Sequence, residues 1–210
     1  MSSDAKWNKS ESWELPDGQL QLHRDWLEAG EARALLEALS KEVPWQQKPI
    51  RIFGREMLQP RLIAWYGDPE ARYTYSGLTW EPQPWRADLL ALARQLKEET
   101  GHRFNSVLLN LYRHGQDSMG WHSDDEPELG PSPLIASISL GATRRFALRH
   151  RTRAEARLRL DLPHGSLLIM GAGMQAYWQH ALPKTQRPVG PRLNLTFRLV
   201  QQPDAWENEG

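Results

Sequence analysis

The chain has no cysteine among its 210 residues. Disulfides, iron–sulfur clusters and thiolate zinc sites are therefore excluded, and the composition fits a reducing compartment. It also lacks any run of about eighteen apolar residues, so no segment reads as a membrane-spanning helix and no membrane partner is expected. A charged-then-apolar leader is missing from the opening stretch, which sets the expectation of a cytoplasmic protein, nuclear if the source is eukaryotic. Net charge is absent too: 26 basic residues balance 26 acidic ones, so bulk charge does not advertise a polyanionic partner. Internal repeats and low-complexity blocks are missing. The length suits one domain with a sizeable core, expected as a monomer with no obligate protein partner.

What charge there is sits unevenly. Residues 144–159 hold seven arginines (144, 145, 149, 151, 153, 157 and 159) against one acid, Glu155. Such a concentration reads either as a phosphate-contacting surface or as a hairpin that keeps its polar face wet.

Patterning divides the chain in two. Residues 1–15 are polar and without period and are expected to be a flexible tail, as are residues 204–210. Residues 20–22 suit a short strand. Residues 29–42 read as a helix with Leu35, Leu36 and Leu39 on its apolar side, stopped before Pro44. From 49 to 84, Trp, Tyr, Pro and Gly predict short strands and turns. Residues 86–100 form the clearest helix, with Leu89, Leu90, Leu92, Ala93 and Leu96 on one side and Gly101 just past its end. Strands are predicted at 106–112, 133–140, 144–149, 157–162, 165–170 and 191–200. Short strands at this spacing suggest a sandwich or barrel, the fold class being mainly β with supporting helices.

Chemistry concentrates at His122, Asp124 and His180. His122 and Asp124 at a strand end would project to one face, since alternate strand residues do, and His180 need only fold back onto it. Two imidazoles and one carboxylate on one side of an octahedral metal leave the opposite positions open. Taken alone, H-x-D triplets also occur by chance in solvated turns. The strand that follows adds weight. Arg192, Asn194, Thr196 and Arg198 alternate with Leu193, Leu195, Phe197 and Leu199, which argues one apolar core face. The polar face has two arginines, an amide and a hydroxyl and no acid, which suits a small dianion. A solvated face or phosphate-contacting strand is the plainer alternative. Asn110 and Tyr112 share a strand face by the same rule.

The set Asn110-Leu111-Tyr112, His122-x-Asp124-Asp125-Glu126, His180 and Arg192-x-Asn194-x-Thr196-x-Arg198 resembles the AlkB family of Fe(II)- and 2-oxoglutarate-dependent dealkylases, over residues 53–200. The chain is more similar to the branch of that family that repairs double-stranded DNA, through Ile52-Phe53-Gly54, Tyr73-Thr74-Tyr75-Ser76-Gly77-Leu78 and Ser132-Pro133-Leu134-Ile135-Ala136-Ser137. The resemblance implies a double-stranded β-helix (jelly roll) at 105–200 with a nucleotide-recognition lid at 49–82, inside a single oxygenase domain at 16–203. It implies iron(II) held by His122, Asp124 and His180. It also implies 2-oxoglutarate as co-substrate, its distal carboxylate on Arg192 with Tyr112 and Asn110, Asn194 and Thr196 alongside, and Arg198 nearer the metal end. The implied activity is oxidative removal of N-alkyl groups from DNA bases such as 1-methyladenine and 3-methylcytosine, with formaldehyde and succinate as products.

The implied substrate contacts are Phe53 as a wedge in the base stack, with Gly54 and Arg55 beside it, then Tyr73, Thr74, Tyr75 and Ser76, and Asp125 against a cationic lesion. One departure from the duplex-acting branch is visible: the connection between Arg149 and Arg157 is shorter than the basic loop which that branch carries there. Arg149, His150, Arg151 and Arg153, with Lys184 and Arg187, are the candidate replacements. Other substrates for the same chemistry are RNA, a free nucleotide or a protein side chain. A nucleic-acid-binding jelly roll with a vestigial metal site, and a hydrolase or isomerase using another metal, are the readings outside that class.

Overall fold

Two faces of one strand explain the architecture. Residues 192–198 are buried on both sides, although only Leu193, Leu195 and Phe197 are apolar, so the strand must lie inside a layered structure rather than on its surface. The computed structural model describes residues 10–52, 55–75 and 78–201. In chain order the elements are β1 (Ser10–Leu15), β2 (Gly18–His23), α1 (Ala29–Glu42), β3 (Pro49–Ile52), β4 (Arg55–Leu58), β5 (Leu62–Gly67), β6 (Tyr73–Tyr75) and β7 (Leu78–Trp80). After these come α2 (Ala87–Thr100), β8 (Ser106–Tyr112), β9 (Met119–His122), β10 (Ile135–Gly141), β11 (Arg144–His150) and β12 (Arg157–Leu162). The chain continues with β13 (Ser166–Met170), the one-turn α3 (Met174–Tyr177), β14 (Trp178–Leu182) and β15 (Arg192–Arg198).

Among the described residues, seven strands form the major sheet in the order β1-β2-β13-β10-β15-β8-β5, and four form the minor sheet, β12-β11-β14-β9. Neighbouring strands in both sheets run antiparallel. The two remaining ladders, β3 with β4 and β6 with β7, are separate hairpins. This is a jelly-roll sandwich with helices on one side: the patterning predicts the sandwich, and the family resemblance implies the jelly roll.

Helices α1 and α2 cover the outer face of the major sheet. Ala32 and Leu39 of α1, with Leu89, Leu92, Ala93 and Leu96 of α2, pack in one cluster with Val107, Leu109, Ile138, Leu195 and Phe197. Leu35 and Leu36 are only half-buried against that cluster, so the buried stripe of α1 is rotated toward Ala32. Gly101 closes α2 in the left-handed conformation at φ 74°, its N–H donating to the Lys97 carbonyl, a cap that glycine adopts without steric cost. Between the sheets a second cluster joins Leu20, Leu22, Ile135, Leu168 and Met170 to Phe146, Leu148, Leu160, Leu162 and Trp178.

Three elements depart from the sequence expectations. Residues 10–15, expected within a flexible tail, form β1 and pair with β2 along their whole length. Strands β9 and β14 have no counterpart in the patterning, because each is short and neither alternates. The turn joining β1 and β2 reaches the other sheet. The indole N–H of Trp178 donates to the Pro16 carbonyl at 2.8 Å. A Cβ at Gly173, φ 79°, would lie 2.0 Å from the Asp17 carbonyl oxygen, so a side chain there would push the hairpin off the segment leading into β14.

Candidate metal and co-substrate site

Register brings the first ligands together. His122 ends β9 and His180 lies in the middle of β14, and the two are direct cross-strand partners. Their rings meet edge-on at 4.1 Å between centroids. Asp124 follows two residues beyond β9, where its backbone N–H donates to Oε1 of Gln175 at 2.9 Å. One donor atom from each of His122, Asp124 and His180 lies within 4.8 Å of the others. His122 is thus at a strand end as expected, whereas Asp124 lies beyond the strand and is set by Gln175 instead of by strand alternation.

Protonation suits a metal. His122 Nδ1 lies 2.9 Å from the Gly120 carbonyl, which can only accept, so Nδ1 carries the proton and Nε2 offers its lone pair. Burial, reinforced by the neighbouring His122 and Arg198 and opposed by Asp124, pushes His180 down to about 3. It is a neutral ligand at neutral pH. Burial alone would raise the Asp124 carboxyl, but the charges of Arg198, His180 and His122, with a hydrogen bond from Arg198, hold it down at about 2. Two neutral imidazoles and a carboxylate are the donor set that suits iron(II) with one face left open.

The polar face of β15 forms the facing wall. A cavity of about 50 Å³ is bounded by Asn110, Tyr112, Arg192 and Arg198 on one side and His122 and His180 on the other. Arg198 donates to Asp124 Oδ1 at 2.7 Å within the protein. It therefore anchors the metal-side carboxylate, and the two arginines on this face do not converge on one ligand. Asn194 donates to the Ser137 hydroxyl at 2.7 Å and the Ile138 carbonyl at 3.1 Å, while its Oδ1 accepts from Thr196 at 3.0 Å. Both side chains are committed to holding the strand face in place.

Arg192 is different. It is 2 % exposed, lies opposite Tyr112 in the β8–β15 register and donates to the Ser139 hydroxyl at 2.8 Å, yet its Nε has no hydrogen-bond partner among the described residues. Its guanidinium carbon sits 5.5 Å from the Tyr112 ring centroid. Desolvation, countered by Tyr112 and reinforced by Arg144, brings it down to about 10. A buried cation with an orphan donor and no carboxylate against it is half of an ion pair, and one carboxylate of a dicarboxylic acid would complete it.

Two arginines were missed by sequence reasoning. Arg61, just before β5, is buried and donates from Nε to Asn110 Oδ1 at 2.8 Å; its only sequence signal is an arginine abutting an apolar strand. Arg144 was counted in the basic patch. It is 3 % exposed and caps the carbonyls of His114, Asp117 and Pro183 at 3.3, 3.0 and 2.8 Å. Much of the rest of that patch is paired inside the molecule as well: Arg151 with Asp125 and the Ser123 hydroxyl, Arg153 with Asp17.

Of the substrate-side residues, Asp125 is exposed beside Asp124. The backbone of Arg55 lies in β4 and that of Tyr73, Thr74 and Tyr75 in β6. Phe53, Gly54 and Ser76 lie outside the described residues.

A jelly roll holding a His-Asp-His cluster opposite a buried arginine is an arrangement fit for a metal ion beside a dicarboxylic acid. Residues 19–198 match the family model of the 2OG-Fe(II) oxygenase superfamily, and the chain belongs to that superfamily, whose metal and co-substrate are iron(II) and 2-oxoglutarate. Within it the chain is similar to the AlkB homologues. It is 49 % identical over 179 residues to alpha-ketoglutarate-dependent dioxygenase alkB homolog 3 of Bos taurus, covering 81 % of this chain and 62 % of that protein. To the Homo sapiens protein of the same name it is 47 % identical, over 85 % of this chain and 65 % of the relative. To DNA oxidative demethylase ALKBH2 of Homo sapiens it is 41 % identical, over 81 % of this chain and 69 % of that protein. The chain thus spans slightly under two thirds of the length of the homolog 3 relatives. The solved structure of OsALKBH1 shares the fold, with a TM-score of 0.63 at 18 % identity over 89 % of this chain and 99 % of that one.

Proposed function

We propose that this chain oxidatively dealkylates N-alkylated bases in DNA, with 1-methyladenine and 3-methylcytosine as the expected lesion type. The observation that carries the reading is the pairing of the His122–Asp124–His180 cluster with the orphan donor of Arg192 in one cavity. The names of the relatives, dioxygenase and DNA oxidative demethylase, support the substrate class.

Each side chain then has a task. His122 and His180 supply lone pairs, and Asp124, fixed by Arg198 and by Gln175, supplies the compensating charge. Arg192 takes the distal carboxylate of 2-oxoglutarate, with Tyr112 and Asn110 lining its path and Arg61 holding the Asn110 amide in orientation. Asn194 and Thr196 keep that wall rigid. When bound, iron(II) with 2-oxoglutarate and oxygen supplies the oxidising power that hydroxylates the N-alkyl carbon, the co-substrate leaving as succinate and carbon dioxide. The resulting hemiaminal collapses to formaldehyde and the restored base. A base inside a duplex must be flipped out to reach the cavity. In this reading the hairpins β3–β4 and β6–β7 form the recognition lid, β5 between them belonging to the major sheet: Phe53 would fill the vacated stack, with Gly54 and Arg55 assisting, and Tyr73, Thr74, Tyr75 and Ser76 would contact the flipped base. Asp125, beside the metal ligand, favours a cationic lesion.

Purified protein with iron(II), 2-oxoglutarate and ascorbate should release formaldehyde from a 1-methyladenine oligonucleotide, with one succinate per base restored. Matched single- and double-stranded lesions in that assay report the strand preference. Succinate coupled to methylated RNA or a free nucleotide, with none from methylated DNA, would overturn the substrate assignment.

A further inference from the structure

The arginines left over after internal pairing lie on one surface, the outer face of the minor sheet, away from the cavity. Arg149 of β11 stands directly opposite Arg157 of β12 in the register, and Arg159 lies one position on across from Ala147. Like charges facing each other across a ladder destabilise it unless something neutralises them. Arg145 is matched by Asp161 at 3.1 Å. Arg149 instead bonds the neutral amide oxygen of Gln179 at 2.8 and 3.1 Å and lies over the Trp121 ring at 4.3 Å. Arg157 donates from Nε to the Ala154 carbonyl. Among the described residues, Arg149, Arg157 and Arg159 enter none of the ion pairs. They border a groove of about 370 Å³ whose floor includes Trp121, 42 % exposed.

We propose that this groove is a second nucleic-acid contact, which holds the strand several nucleotides away from the lesion. The inference rests on the nucleic-acid reading of the metal site. Charge complementarity selects the partner: three uncompensated guanidinium groups beside an exposed indole fit phosphates with an adjoining base face. Position sets the distance. Trp121 and Gln179 directly precede His122 and His180, so the groove backs the two strands that carry the imidazoles, and β9 is an edge strand that a bound chain can round. A strand with its lesion at the metal therefore reaches the groove only by rounding that edge, which takes several nucleotides beyond the lesion.

The test compares the full chain with the double variant Arg157→Gln, Arg159→Gln, two exposed positions outside the metal and co-substrate site. Binding of an unmodified 20-mer is titrated at several salt concentrations, and turnover is measured on a methylated trinucleotide and a methylated 20-mer. The variant should bind the 20-mer about tenfold more weakly, with its salt slope shallower by about one per arginine removed. It should show raised KM on the long substrate alone and unchanged turnover of the trinucleotide. Equal 20-mer affinity and equal salt slope in the two proteins overturn the proposal. So does a loss on both substrates alike, and so does wild-type binding of polyglutamate in preference to the 20-mer, which would assign the face to an acidic protein. If the wild type turns over neither methylated substrate while the variant still loses 20-mer affinity, the metal-site reading fails and the groove stands.

Discussion

Replacing Arg192 by methionine separates co-substrate binding from folding, because the structure makes the first depend on the guanidinium far more than the second. The guanidinium is almost wholly buried, faces no carboxylate and leaves its Nε without a partner. Losing one member of a buried charged pair costs about 3–5 kcal/mol, and each 1.4 kcal/mol is about tenfold, so 2-oxoglutarate should bind the variant about 10²- to 10⁴-fold more weakly. Folding without the co-substrate should respond otherwise. Exchanging buried charge for apolar volume is worth about 1–4 kcal/mol in favour of the fold. Against that stand about 1 kcal/mol for the bond to Ser139 and a similar amount for the Tyr112 ring. The net lies between about −1 and 2 kcal/mol, so Tm without co-substrate should move by only a few degrees in either direction. Calorimetry on iron-loaded, oxygen-free protein measures the first quantity and scanning calorimetry the second. In the wild type, 2-oxoglutarate at about a hundred times its Kd should add about 2.7 kcal/mol, and in the variant next to nothing. An unchanged Kd, or a Tm lowered by about 8 °C or more with binding intact, would refute the reasoning and make Arg192 a structural residue.

Other outcomes follow from the same contacts. Asp124→Ala should abolish turnover and also destabilise the protein by about 3–5 kcal/mol in denaturant titration, because it removes the carboxylate that buried Arg198 holds; His122→Ala, at a half-buried position, should abolish turnover with a much smaller effect. Stability of the metal-free protein should fall with acidification. His180 titrates at about 3 when folded against about 6.5 unfolded, so the unfolded chain takes up a proton between those values and gains on the native state. Asp124, depressed to about 2 from 3.8, adds a further loss below about pH 4, and thermal melts from pH 7 to 3 should show a monotonic decline that His180→Gln flattens. Arg144→Met takes a donor from three carbonyls, of which that of His114 still accepts from the Asp117 N–H, so it should cost about 2–4 kcal/mol in stability while leaving oligonucleotide affinity within about twofold.

Much of this molecule could be read from its residue order. Strand β15 announces itself because a period of two is a local property, and β8 and β12 emerge with the observed bounds for the same reason. Helices α1 and α2 follow from apolar spacing and, for α2, the glycine cap. The metal triad was legible as residue types in a recognisable pattern. Strands β9 and β14 were not, since four or five residues that include a glycine or a histidine carry no period; they are strands because each other's backbones satisfy them.

Sequence alone thus determined most of the order of secondary structure, though not β1, β9 and β14, together with the donor atoms offered to a metal and the alternation that puts polar groups on one face of β15. Tertiary structure decided which of those groups remained available. It joined Arg198 to Asp124 across 74 residues, turned Arg144 and Arg61 inward, left Arg192 short of a carboxylate and set Arg149 against Arg157. An arginine has the same charge wherever it stands in the chain. Whether it meets water, a carbonyl, an acid or an empty cavity depends on contacts between segments far apart in sequence, and those contacts exist only once the sheets have closed.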